Sequence, residues 1–96
     1  EIGVRLVGSE MCIRDRAPAA PVHVLMIPKA HTENIITAEP ELLLYMFGKV
    51  KELAEKLGVN EKGFRIVANT GDDGGQTVKH LHIHLLGGKA LGWPPC

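Results

Sequence analysis

The sequence lacks net charge: eleven Lys and Arg balance eleven Asp and Glu, and the pI lies near 7.2. No global field therefore draws the chain to a nucleic-acid backbone or an anionic membrane surface, and any anion it binds must be recognised locally. Cysteine is nearly missing too. Cys12 and Cys96 lie near opposite ends with no C-x-x-C spacing, which argues against a zinc knuckle or a secreted disulfide framework and fits a reducing, cytoplasmic setting. No apolar run approaches the roughly 20 residues of a membrane span, and the N-terminus has neither the basic start nor the long apolar centre of a signal peptide. What is present is a chain of 96 residues with 45% hydrophobic content, enough for one small domain around a single core.

Residues 1–16 show no helical period, and their alternation is broken by Gly3, Gly8 and a terminal charged cluster. Two readings stay open for them: an edge strand over Val4 to Val7, or a non-native segment resembling translated linker sequence, with the domain proper over 17–96. After Pro18 and Pro21, the β-branched run Val22 to Ile27 reads as a strand stopped by Pro28. His23 shares one of its faces with Leu25 and Ile27, where a core histidine bonded to a carbonyl is the plainer account of a lone imidazole. His31 reads as a solvated turn residue.

Thr37 is expected to cap a helix whose first turn accommodates Pro40 and Glu41. Its apolar stripe is Leu43, Phe47, Val50, Ala54 and Leu57, ending at Gly58, with Met46 and Phe47 both in the core. A second strand, Phe64 to Asn69, leads through Thr70 to Thr77 into a third that runs to Leu86 and stops at Gly87 and Gly88. The last two suggest an antiparallel hairpin. The expected fold class is α+β, an antiparallel β-sheet with one principal α-helix.

His80, His82 and His84 alternate with Leu81, Ile83 and Leu85, so on a strand the three imidazoles project from one face and the apolar residues from the other. A neutral imidazole is a competent nucleophile toward phosphorus, and a protonated one donates to developing negative charge. His82, flanked on both sides, is the geometric choice for the nucleophile. The same row could instead ligate zinc, and the residues alone leave the two readings nearly balanced. The preceding loop is not a P-loop, but its glycines can expose backbone amides to an oxyanion, with the Gln76 amide and Thr77 hydroxyl as further donors. Asp72 and Asp73 are expected to face solvent or cap the turn.

His80-Leu81-His82-Ile83-His84-Leu85-Leu86 resembles the signature of the histidine triad (HIT) superfamily of nucleotide hydrolases and transferases. The resemblance extends to Ala20 through Lys29, to Asn69, to Gly74-Gly75-Gln76-Thr77-Val78, and to Gly87-Gly88 with the Trp93-Pro94-Pro95 tail, which looks like the Hint branch. It implies a HIT-like fold and cleavage of the P–N bond of purine nucleoside phosphoramidates, or of related adenylates, through a nucleotidyl-histidine intermediate. His82 would be the nucleophile, His84 and Thr77 would assist the leaving amine, and His80 and His23 would orient the nucleophile. Asn69, Gly75, Gln76 and Thr77 would hold the phosphate region, and Asp15 falls at the ribose position. The resemblance further implies no metal or other cofactor, and a homodimer with a ten-stranded sheet in which Trp93 reaches toward the partner's site. Sixteen unmatched residues stand where the family's base-binding side chains belong, so a nucleotide-binding or interaction module with little turnover is the alternative.

Overall fold

The computed structural model describes 4–7 and 11–15 as backbone and 21–92 in full. Its elements are β1 (Val4–Val7), β2 (Met11–Asp15), β3 (Val22–Pro28), α1 (Pro40–Leu57), β4 (Phe64–Val67) and β5 (Ile83–Gly87). The strands form one sheet in the order β1-β2-β3-β5-β4, each antiparallel to its neighbour. Among the described residues the α+β class and the single principal helix expected from the sequence are what is observed. Val4–Val7 is an edge strand, and β2, which the sequence did not signal, joins it to β3.

β5 lies between β3 and β4, with Leu25 opposite His84 on one side and Val67 opposite His84 on the other. β4 and β5 pair as expected, but residues 68–82 connect them, far more chain than a tight hairpin turn. Alternation then divides the sheet's two faces. Val24 and Met26 of β3 and Ile83 and Leu85 of β5 join Met46, Val50, Leu53 and Ala54 of α1 in the core, with Leu81 and Val59. The intervening residues, His23 and Leu25 on β3 and His84 on β5, occupy the face away from the helix.

Two details of α1 differ from expectation. Glu39 stands at the N-cap in an extended conformation without a side-chain cap bond, and Pro40 fills the first turn, where its missing N–H costs nothing. Thr37 is too early to cap; its hydroxyl instead accepts from the Glu33 and Asn34 backbone N–H groups, each at 3.2 Å. The buried stripe is Met46, Val50, Leu53 and Ala54, whereas Phe47 is 47% exposed. Apolar residues cover more of the helix than one sheet face can bury, so packing selects Met46 and leaves Leu44 and Phe47 outside. The C-terminal stop is as expected: Gly58 adopts φ 75°, and Val59 N–H reaches Ala54 O at 3.0 Å while its side chain enters the core. Among the described residues no helix is long and apolar enough to cross a membrane.

Candidate active site

Pro28 ends β3 because it has no N–H to continue the ladder. The β3–β5 ladder accordingly stops at the Met26–Ile83 pair, so the histidine segment is extended but is a paired strand only from Ile83. His84 alone of the three lies in β5; His82 precedes it and His80 occupies a bend. This corrects the expected continuous strand. The alternation nevertheless holds, since Leu81, Ile83 and Leu85 are buried and His80, His82 and His84 are half-buried. Leu81 N–H donates to Thr32 O at 2.8 Å, which keeps the row against the segment that follows β3.

Side-chain bonds take over where the ladder stops. His80 donates from Nε2 to the Pro28 carbonyl at 3.0 Å, and His82 donates from Nδ1 to the His80 carbonyl at 2.8 Å. A carbonyl can only accept, so each bond fixes which nitrogen of that ring bears hydrogen. In neutral His82 the proton is on Nδ1 and Nε2 keeps its lone pair. His23 Nε2 and His84 Nδ1 share a hydrogen bond of 2.9 Å, with ring centroids 5.2 Å apart. The His82 and His84 rings meet edge to face at 5.2 Å, and His31 meets His80 the same way at 5.3 Å. The histidine rings thus form two groups, His23–His84–His82 and His31–His80, joined through the His80 carbonyl. His31, read as a turn residue, is exposed but belongs to the second; a single loop histidine carries no sequence signal of such a contact.

The loop before the row is built tightly. A Cβ at Gly74 would collide with the Thr70 carbonyl, and Gly75 adopts φ 76°, so both positions need glycine. Gly75 N–H donates to Asp72 O and Gln76 N–H to Gly71 O, each at 3.0 Å. The Gln76 side chain is buried and fully engaged: Nε2 donates to Glu33 O at 2.7 Å and Val78 O at 3.0 Å, while Oε1 accepts from Gly71 N–H at 2.9 Å and Asn34 Nδ2 at 3.3 Å. The expectation that the Gly75 and Gln76 amides and the Gln76 side chain serve a bound anion is therefore corrected, because these donors close the loop itself. Asn69 Nδ2 donates to Gly74 O at 2.7 Å, which leaves its second amide hydrogen for another acceptor. Thr77 is exposed, as are Asp72 and Asp73. Asn34, which no motif marked, is the other buried polar residue of this region.

Asp15 pairs with Val24 at the end of β2, but its side chain lies outside the described residues, as does Trp93. Among the described residues no three His, Cys, Asp or Glu side chains are grouped to hold a metal ion. His80 Nε2 and His82 Nδ1 point at main-chain carbonyls instead. The tautomer assignment is directly measurable. In long-range 1H–15N correlation spectra at a pH where His82 is neutral, its proton is expected on Nδ1; a proton on Nε2 would contradict the geometry.

The HIT domain family matches residues 8–91. An uncharacterised HIT-like protein of Synechococcus elongatus is 53% identical over 91 residues, covering 90% of this chain and 79% of that protein. The crystal structure of a HIT family hydrolase from Legionella pneumophila aligns with TM-score 0.91 and 37% identity over 100% of this chain and 89% of its own. A histidine triad nucleotide-binding protein of Candida albicans aligns with TM-score 0.80 and 26% identity, over 98% and 75%. The motif, the sheet that presents it and these similarities agree, and the chain belongs to the HIT family.

Proposed function

We propose that this chain is a Hint-like nucleotide hydrolase that cleaves the P–N bond of purine nucleoside phosphoramidates, with related adenylates as further substrates. The observation that carries the proposal is the 2.8 Å bond from His82 Nδ1 to the His80 carbonyl, which leaves Nε2 as a lone-pair nucleophile. The hydrolase and nucleotide-binding names of the Legionella and Candida neighbours support it.

In the first step His82 Nε2 attacks the α-phosphorus and the P–N bond breaks. The departing amine nitrogen takes a proton through the Thr77 hydroxyl from the His84 ring. In the second step water attacks phosphorus, returns a proton to His84, and the P–Nε2 bond breaks to release nucleoside monophosphate. While the adduct lasts, the His82 ring is cationic and its Nδ1–H faces the His80 carbonyl, a charge-assisted bond of about 1.5–3 kcal/mol. His80 acts through that carbonyl and through the Pro28 bond that fixes its own position. His23 holds His84 by their shared bond, so both supporting histidines have a stated physical role. Asn69 offers its remaining amide hydrogen to phosphate oxygens, and Asp15 is assigned the ribose.

The working unit is assigned as a homodimer. Among the described residues β4 is a sheet edge with an unpaired flank, and beside it Phe64 is 38% and Phe47 47% exposed; Leu44, also on α1, is 76% exposed. Phe47 and Phe64 border a groove between α1 and β4 lined also by Val50 and Ala54. A second copy that pairs β4 with β4 and α1 with α1 covers both liabilities at once. The resemblance that implies this dimer also assigns Trp93 a place near the partner's site.

Release of amine from an adenosine phosphoramidate by the purified chain is expected, and His82→Ala should lower kcat by roughly 10³-fold or more. Retained turnover in that variant removes His82 from the nucleophile's role, and tight binding of nucleoside monophosphate without turnover by the parent favours the binding module. Sedimentation equilibrium at micromolar concentration is expected to give twice the 10.4 kDa chain mass, with Phe47→Asp shifting it to the monomer. A monomeric parent would contradict the β4 pairing.

A further inference from the structure

The loop that carries Thr77 has its buried fastening at Gln76. Gln76 uses its whole amide inventory: two hydrogens on the Glu33 and Val78 carbonyls, two acceptor sites on the Gly71 N–H and the Asn34 amide. Flipping that amide would set an NH2 against the Gly71 N–H and an oxygen against two carbonyls, so its orientation is determined by its neighbours. Asn34 is determined as well. Its Oδ1 accepts from Ile36 N–H at 2.9 Å and Thr37 N–H at 3.4 Å, which leaves Nδ2 aimed at Gln76. Thr37 braces the same turn through the Glu33 and Asn34 amides and lies 2.8 Å from the Thr32 hydroxyl.

The consequence is mechanical. Residues 32–37, which lead into α1, and residues 71–78, which precede the histidine row, meet at the Gln76 amide, which accepts from Asn34 Nδ2, 42 positions away, and donates to the Glu33 carbonyl. Thr77 sits between the two backbone groups this arrangement holds: Gln76 N–H on Gly71 O, and Val78 O on Gln76 Nε2. A threonine on an exposed loop would ordinarily sample several backbone positions. Here both of its neighbours are pinned from a buried point, while its own hydroxyl stays exposed.

We infer that Asn34 and Gln76 are positioning residues for the reaction, a buried amide pair that fixes the Thr77 hydroxyl where the leaving group departs. The inference rests on the phosphoramidase reading, which assigns Thr77 to the departing amine. It makes leaving-group assistance a property of the junction between the pre-helix turn and the loop, and it separates that function from nucleophilic attack, which His82 performs from the other end of the segment.

Asn34→Asp is the incisive change. The carboxylate keeps an acceptor for Ile36 and Thr37, so the turn survives, but it presents a second oxygen to Gln76 Oε1 in place of a donor, leaving a buried charge without its partner. Asn34→Ser, which also keeps a short acceptor and cannot reach Gln76, serves if the aspartate variant does not fold. Either variant is expected to lower kcat roughly ten- to a hundredfold with KM within about twofold. The loss should be larger for an alkylamine phosphoramidate than for an anilide, because the more basic amine depends more on protonation as it leaves. In a Thr77→Ala background the same change should cost nothing further. A loss equal for both leaving groups, or one that persists without the Thr77 hydroxyl, overturns the positioning role. Amide hydrogen exchange supplies the check that needs no turnover: protection of the Gly71 and Gln76 amides should fall while that of α1 is kept, and unchanged loop protection overturns the clamp. A parent chain that releases neither amine strikes the proposed activity instead, so the two failures are distinct.

Discussion

The hydrogen bond from His82 Nδ1 to the His80 carbonyl is the constraint on which the proposed site turns. It links residues two apart, which extended backbone allows only when the segment is held in shape from outside. That shape comes from the Pro28 carbonyl on His80, the Thr32 carbonyl on Leu81, and the burial of Leu81, Ile83 and Leu85 beneath the row. Apolar burial thus sets the direction of the backbone, and the backbone in turn sets the tautomer of one ring. Proline contributes twice over: it stops the β3 ladder and leaves a carbonyl whose acceptor capacity an imidazole takes up.

The sheet separates stability from chemistry by alternation alone. One face of β3 and β5 packs on α1 through Val24, Met26, Ile83 and Leu85, and the other carries His23 and His84, joined across the two strands. A one-residue slip between these strands would exchange the faces, moving histidines into the core and leucines into the site. Core packing and the histidine cluster therefore specify the same register. The loop obeys a similar economy, since Gly74 and Gly75 allow the tight turn while Gln76 fills its interior with a fully bonded amide.

What was legible in the sequence is what local pattern encodes. The β3 run and its proline stop, the alternation about the histidines, the end of α1 at Gly58 and the antiparallel α+β class all follow from short-range preferences, and the triad with its flanking motifs pointed to the family. What was not legible depends on tertiary context. Met46 and Phe47 are equally apolar neighbours, and only the sheet's position decides that one is buried and the other exposed. Thr37 has the chemistry of a cap, but the turn before α1 claims its hydroxyl first. The histidine strand is shorter than its pattern because the β3–β5 ladder ends at the Met26–Ile83 pair, as Pro28 has no N–H to carry it further. Gln76 read as a donor to ligand because the Glu33 carbonyl that takes one of its amide hydrogens lies 43 residues away, where no local motif records it, and the Val78 carbonyl takes the other.

The central claim is that His82, with its proton held on Nδ1, forms the covalent bond to phosphorus through Nε2. Rapid base-quenched turnover of an adenosine phosphoramidate, followed by peptide mass spectrometry at alkaline pH, where phosphoramidate linkages survive, tests it most directly. A nucleotidyl adduct on His82 that forms and decays at rates competent for turnover is expected. An adduct on His80 or His84, or sustained turnover in which water displaces the amine with inversion at phosphorus in a single step, would contradict it.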